Sequence, residues 1–143
     1  MLKVKIKKLK PNAIIPKYSR EGDAGLDLTA ISKVGNIKDY DEFYTGLAIE
    51  IPKGYVGLIF PRSSISNKNQ MLTNHVGVID SNYRGEITFR FKKLHENSNQ
   101  QEYCPGERVG QLFIIPYPEI EFEEVTELSE TERGSNGFGS SGS

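Results

Sequence analysis

Several short stretches carry side chains whose types and spacing could do chemistry. D-A-G-L-D-L, from Asp23 to Leu28, sets two carboxylates around a glycine just ahead of a strand-like run. Such carboxylates either cap the backbone amides of a turn or form a charged site, and the residues alone leave both open. P-R-S-S, Pro61 to Ser64, follows an apolar run with a guanidinium and two hydroxyls. Arginine suits bidentate contacts to phosphate, and serine hydroxyls and nearby N–H groups add donors, although one tetrapeptide says little. In G-V-I-D-S-N-Y-R-G-E-I, Gly77 to Ile87, the D-S-N run is ordinary turn chemistry between two strands. Asp80, directly after Val78 and Ile79, should nevertheless be partly shielded from water, and Tyr83 can set its ring beside whatever Asp80 serves. R-V-G-Q-L, Arg108 to Leu112, opens a further apolar run with a cation and an amide, or is simply a solvated strand end. The tail R-G-S-N-G-F-G-S-S-G-S has the composition of a flexible linker, apart from Arg133 and Phe138. A cation and a ring are what a loop needs to close over an anionic ligand with a flat aromatic part.

The elements that must position these residues follow a period of two. Val4 and Ile6 alternate with lysines, Ile87, Phe89 and Phe91 alternate with Thr88 and Arg90, and Ile120, Phe122 and Val125 nearly alternate with glutamates. These patterns predict half-buried strands. Y-V-G-L-I-F ending at Phe60 and Q-L-F-I-I ending at Ile115 predict strands buried on both faces. No long amphipathic helix is predicted; S-I-S-N-K-N, from Ser64 to Asn69, offers at most a short helical turn. Many short strands punctuated by Gly and Pro predict an all-β sandwich or barrel.

Composition narrows the function classes. At 143 residues the chain has the size of one domain, and 36% hydrophobic content supports a single core. With 18 Lys and Arg against 19 Asp and Glu, the net charge of -1 gives no global attraction to nucleic acid or anionic membrane, so any anion site must be local. The lone Cys104 excludes an internal disulfide framework, and lysines interrupt the apolar residues of M-L-K-V-K-I-K-K-L-K. A soluble, cytoplasmic (intracellular) protein is the expectation.

Taken in order within one short β-rich chain, the five stretches closely resemble the five motifs of trimeric deoxyuridine triphosphatases, over Asp23 to Gly142. The resemblance implies a jelly-roll-like β-sandwich over residues 1–126 and a flexible C-terminal arm over 127–143 that closes over the active site. It implies a homotrimer whose active sites are shared between chains. The implied reaction is hydrolysis of dUTP to dUMP and pyrophosphate with Mg2+, lowering dUTP and supplying dUMP for thymidylate synthesis.

By the same resemblance, Asp80 is the general base for the water that attacks the α-phosphorus, a role open to an aspartate ionised at neutral pH. Asp27 would fix waters on the magnesium and pair with Arg108, while the phosphates hold the metal itself, so no tight metal site is expected in the empty protein. Arg62, Ser63 and Ser64 would bind the phosphate chain, and Gln111 would orient phosphate and water. Asn74, Gly77 and Val78 would select uracil, and Tyr83 would stack on the deoxyribose and leave no space for a 2'-hydroxyl. Arg133 would reach the γ-phosphate and Phe138 cover the base, with Gly139, Ser140 and Ser141 bringing backbone N–H groups to the phosphates.

Asn136 departs from the glycine frequent in that family, and His75 has no role there beyond an exposed loop position. Two rivals remain. A dCTP deaminase relative would need a catalytic glutamate where this chain has Arg90, which cannot perform its proton transfers. A non-catalytic trimer that senses nucleotide or binds a protein would have little use for Asp80, Gln111, Arg133 and Phe138 together.

Overall fold

The computed structural model describes residues 1–96 and 98–137. Nine strands form two antiparallel sheets, and no α-helix occurs among the described residues. One sheet joins β1 (Lys5–Lys8), β4 (Tyr40–Glu50), β8 (Glu86–Lys93) and β6 (Gln70–Leu72) in that order, with β3 (Ser32–Ile37) also paired to β4. The other runs β2 (Leu26–Thr29), β9 (Arg108–Pro116), β5 (Tyr55–Phe60), β7 (Gly77–Ile79). Of the sandwich or barrel expected from the strand pattern, the sandwich is the architecture observed.

Period-two reading holds best in β8, where Ile87, Phe89 and Phe91 are buried and Arg90 is exposed. Their side chains meet Leu28, Phe43, Leu47, Ile59, Val109 and Leu112 in one core between the sheets. Gly110 in β9 is required by this packing, because a Cβ there would collide with the ring of Phe89. The base of the loop that follows β7 is also fixed. Glu86, the first residue of β8, accepts the Gly46 N–H at 2.6 Å, beside an irregularity where the β4–β8 register shifts between Tyr44 and Ala48.

Two strand expectations need correction. In β5 and β9 the inward residues Gly57, Ile59, Val109 and Leu112 are buried, whereas Leu58, Phe60 and Phe113 on the outer face are half-buried and Ile115 is exposed. This single chain covers only one face of the second sheet. Ile120, Phe122 and Val125 form no strand at all, and lie 71%, 90% and 51% exposed. Alternation specifies an apolar face, but a strand also needs an edge to pair with, and residues 117–137 find none in their own chain.

Candidate active site

Strand order brings four of the five motifs to the second sheet, in two separate groups. Asp27 of β2 stands opposite Gln111 of β9, and Gln111 in turn stands opposite Phe60, the last residue of β5. The chain leaving β5 therefore delivers Arg62 to the same end of the sheet. Asp27 Oδ1 accepts from Arg62 Nε at 2.8 Å and Oδ2 from Arg108 Nη1 at 2.9 Å. The Asp27–Arg108 pair was expected; the Arg62 pair was not. With its side chain 18% exposed, Asp27 is shielded enough for both contacts to orient the guanidiniums rather than merely decorate a surface.

The remaining groups complete this cluster. Gln111 Nε2 donates to the Pro61 carbonyl at 3.0 Å, which fixes the amide beside Arg62. S-I-S-N does form a helical turn: a 3-10 helix spans Ser63–Asn67, with Ser63 exposed and Ser64 half-buried. Arg62 Nη1 approaches Ser64 Oγ at 3.5 Å. Two guanidiniums, one carboxylate, an amide and two hydroxyls thus share one end of a sheet. The excess of positive charge and of hydrogen-bond donors suits a polyanion such as a phosphate chain.

Gly25 is a site residue that motif chemistry does not single out. A Cβ at this position would lie 2.5 Å from Gln111 Oε1 and 3.1 Å from the Phe113 ring. The signal was present as a glycine between Asp23 and Asp27, but its reason is close approach rather than a turn. Gly25→Ala is expected to keep the fold and displace the Gln111 amide, lowering kcat on the order of 10-fold, short of the roughly 100-fold that a full misplacement can cost. Unchanged kcat would show that the amide position is immaterial.

The second group surrounds the β7–β8 connection. Gly77 and Val78 lie in β7, Asn74 and His75 in the preceding turn, and Asp80 just past the strand end. His75 is exposed with φ of 59°, a left-handed turn position. Asp80 is exposed rather than partly shielded, because β7 stops at Ile79 and the chain turns outward there. Its carbonyl accepts the Tyr83 N–H at 3.0 Å, closing the turn. The Tyr83 hydroxyl donates to the Glu86 carbonyl at 3.0 Å, and Gly85 leaves room for the ring. A cleft of about 430 Å³ is lined by Asp80, Ser81, Asn82, Tyr55, Val56 and Tyr117.

Register measures how far apart these groups lie. Gly57 pairs with Ile79, so Asp80 falls beside Val56, whereas Phe60 pairs with Gln111. Four residues of β5 separate the two levels, about 13 Å at ~3.3 Å per residue. Among the described residues of the tail, 127–137, no hydrogen bond or ion pair reaches either group. Arg133 Nε donates to the Asn136 carbonyl at 2.9 Å within a local turn, and Phe138, Gly139, Ser140 and Ser141 lie outside the described residues. Arg90, at the deaminase glutamate's position, is engaged elsewhere: its Nε donates to Glu42 Oε1 at 3.0 Å, and its guanidinium lies 4.9 Å from the centre of the Tyr40 ring.

The dUTPase family model matches residues 11–142 of this chain. The chain belongs to the dUTPase family. Among its relatives, the deoxyuridine 5'-triphosphate nucleotidohydrolase of Nautilia profundicola is 43% identical over 99% of both chains. The dUTPase of Staphylococcus bacteriophage 80alpha, solved with dUPNHPP, superposes with a TM-score of 0.86 at 30% identity, covering 100% of each chain. A mutant dUTPase of phage phi11 of S. aureus, which coordinates a structural Mg(II) ion, shares the fold with a TM-score of 0.76 at 24% identity, covering 90% of this chain and 100% of that one. Within the matched range, the first four stretches singled out in the sequence fall at the Asp27 cluster and the Asp80 turn, and the fifth runs beyond the described residues.

Proposed function

We propose that this dUTPase-family chain hydrolyses dUTP to dUMP and pyrophosphate, with Asp80 as base and the Asp27 cluster as the grip on the phosphate chain. The observation that carries the reading is the doubly paired Asp27, which holds Arg62 and Arg108 side by side next to Gln111 and Ser64. In the proposed reaction Asp80 takes a proton from a water as its oxygen bonds the α-phosphorus. The bond from that phosphorus to the bridging oxygen breaks, and pyrophosphate leaves with the electron pair. Arg62, Ser63 and Ser64 hold the departing phosphates, and Gln111 orients the water and the reacting phosphate. Asn74, Gly77 and Val78 read the uracil edge and Tyr83 flanks the sugar.

The donor set also fits Mg2+. Among the described residues no three His, Cys, Asp or Glu side chains group to cage a metal, and both Asp27 oxygens already accept from arginines. The carboxylate's remaining lone pairs suit contact through water with an ion carried mainly by phosphates. When bound, Mg2+ would neutralise charge developing on those phosphates.

The site is proposed to be shared between three copies of the chain, with Asp27, Arg62 and Gln111 from one, Gly77 to Tyr83 from a second, and the arm over residues 127–143 from a third. Three features support association. Asp80 lies too far along β5 to serve its own cluster. The outer face of the second sheet carries an apolar depression of about 420 Å³ lined by Leu58, Phe60, Phe113 and Ile115. Ile120, Phe122 and Leu128 stand exposed. No helix among the described residues is long and apolar enough to cross a membrane.

The deciding assay is steady-state pyrophosphate release from dUTP, with dCTP and UTP as controls. Release from dUTP alone is expected; binding of dUTP without release would favour the non-catalytic sensor. Base and sugar selection separate in Tyr83→Ala, which should lower the ratio of kcat/KM for dUTP over UTP while leaving discrimination against dCTP largely intact. A ratio that does not fall removes the sugar role from Tyr83.

A further inference from the structure

Tyr103 belongs to none of the five motifs, yet it heads the fully buried side chains by volume among the described residues, at 2% exposure. A buried phenol needs a partner for its hydroxyl, and here the partner is Ser64 Oγ at 3.0 Å. Contacts to the ring and the backbone set where that hydroxyl lies. Its ring packs 5.4 Å from Phe91, and Lys68 Nζ sits 4.8 Å from the ring centre. Lys68 is itself tied to Glu107 Oε1 at 3.1 Å and to the Glu102 carbonyl at 3.3 Å. The Tyr103 N–H donates to the buried Gln70 Oε1 at 2.7 Å.

Ser64, by contrast, rides on a 3-10 helix that has no side-chain cap and no buried residue. Such turns have poor internal hydrogen bonds, and although Ile65 packs against the core, that contact does not orient a hydroxyl. Serine Oγ has one hydrogen to give and two lone pairs to fill. Arg62 Nη1, at 3.5 Å, can only donate into it; in the contact with the phenol either hydroxyl could donate, and the more acidic phenol is the better donor of the two. With the phenol as donor both lone pairs are taken, and the Ser64 hydrogen is left for an acceptor other than these two neighbours.

We propose that Tyr103 is a positioning residue for the phosphate chain: by donating to Ser64 Oγ it fixes the Ser64 O–H as a donor to a phosphate oxygen. This rests on the reading of Ser64 as a phosphate ligand. The experiment measures binding of the imido analogue dUpNHpp and of deoxyuridine, which has no phosphate, to the full chain and to Tyr103→Phe, Ser64→Ala and the double variant, with melting temperature alongside. Tyr103→Phe should weaken dUpNHpp roughly 3- to 10-fold and Ser64→Ala roughly 10-fold or more, as expected for one neutral and one charge-assisted hydrogen bond. Deoxyuridine should bind all four alike, and the double variant should be no weaker than Ser64→Ala. If Ser64→Ala weakens dUpNHpp but Tyr103→Phe does not, the positioning role is wrong and the phosphate reading of Ser64 stands. If Ser64→Ala has no effect, the phosphate reading itself fails. Additive losses, or a loss that also extends to deoxyuridine, would reduce Tyr103 to a packing residue.

Discussion

Asp80→Asn should fold as the unmodified chain does, bind dUpNHpp with unchanged affinity, and turn over at least ~100-fold more slowly, the usual minimum for loss of a general base. The structure separates these outcomes. Asp80 is exposed beyond the end of β7, and its backbone carbonyl, which Asn retains, closes the turn with Tyr83. An exposed substitution that keeps such a contact costs within about 0.5 kcal/mol, so slow turnover could not be charged to unfolding. The amide is nearly the size of the carboxylate but cannot take a proton from water at neutral pH. Single-turnover rates with saturating dUTP are the measurement, since they isolate the chemical step from product release. Rates near those of the unmodified chain would remove Asp80 from the mechanism and leave the exposed turn as a binding element only.

A gain of activity is expected when two inactive variants are mixed. Chains carrying Asp80→Asn, and chains truncated before Arg133, should each be nearly inactive alone. If every site draws its turn from one copy and its arm from another, random mixed trimers regain activity at sites where a truncated chain supplies Asp80 and an Asp80→Asn chain supplies the arm. At equal amounts each condition holds half the time, so about a quarter of sites recover under cyclic symmetry. A site completed within one chain recovers none. Native mass measurement must first establish mixed trimers, because chains that never exchange would be equally silent; mixed trimers without activity would overturn the shared site. The geometry makes recovery the expected result, since Asp80 and Gln111 are about 13 Å apart along β5 at ~3.3 Å per residue, and among the described residues Arg133 bonds the Asn136 carbonyl of its own turn.

How much of this was legible beforehand depended on the range of the interaction. Ile87, Phe89 and Phe91 declare β8 because alternation is a local property, and the 3-10 turn after Arg62 is local too. The Asp27–Arg62 pair spans 35 positions and exists only because β2, β9 and β5 lie side by side, an order that no single segment encodes. Asp80 was expected to be shielded because it follows two apolar residues. What decides its exposure is that β7 turns away after Ile79 while β5 runs on to Tyr55, a point that no alternation marks. Ile120 to Val125 nearly alternate as a strand would, but sequence alternation is silent about which edge receives it. Tyr103 sits in Q-E-Y-C-P-G, where neither period nor motif marks it, and its importance comes wholly from what it touches.

The contact between Gly110 and Phe89 constrains how this core can be inherited. Gly110→Ala alone would force a Cβ into the ring and strain the β8–β9 packing, at a typical overpacking cost of about 1–3 kcal/mol. Shortening Phe89 alone would leave a void beneath Gly110, and large-to-small changes in cores typically cost about as much or more. The two changes together relieve the clash with the ring, leaving a tight 3.0 Å approach to the Phe60 carbonyl, so their effects are not additive. Each single-step route between the two packings therefore passes through a weaker ancestor. Lineages descending from this sequence should keep the glycine and the phenylalanine as a pair, or lose both within a short interval.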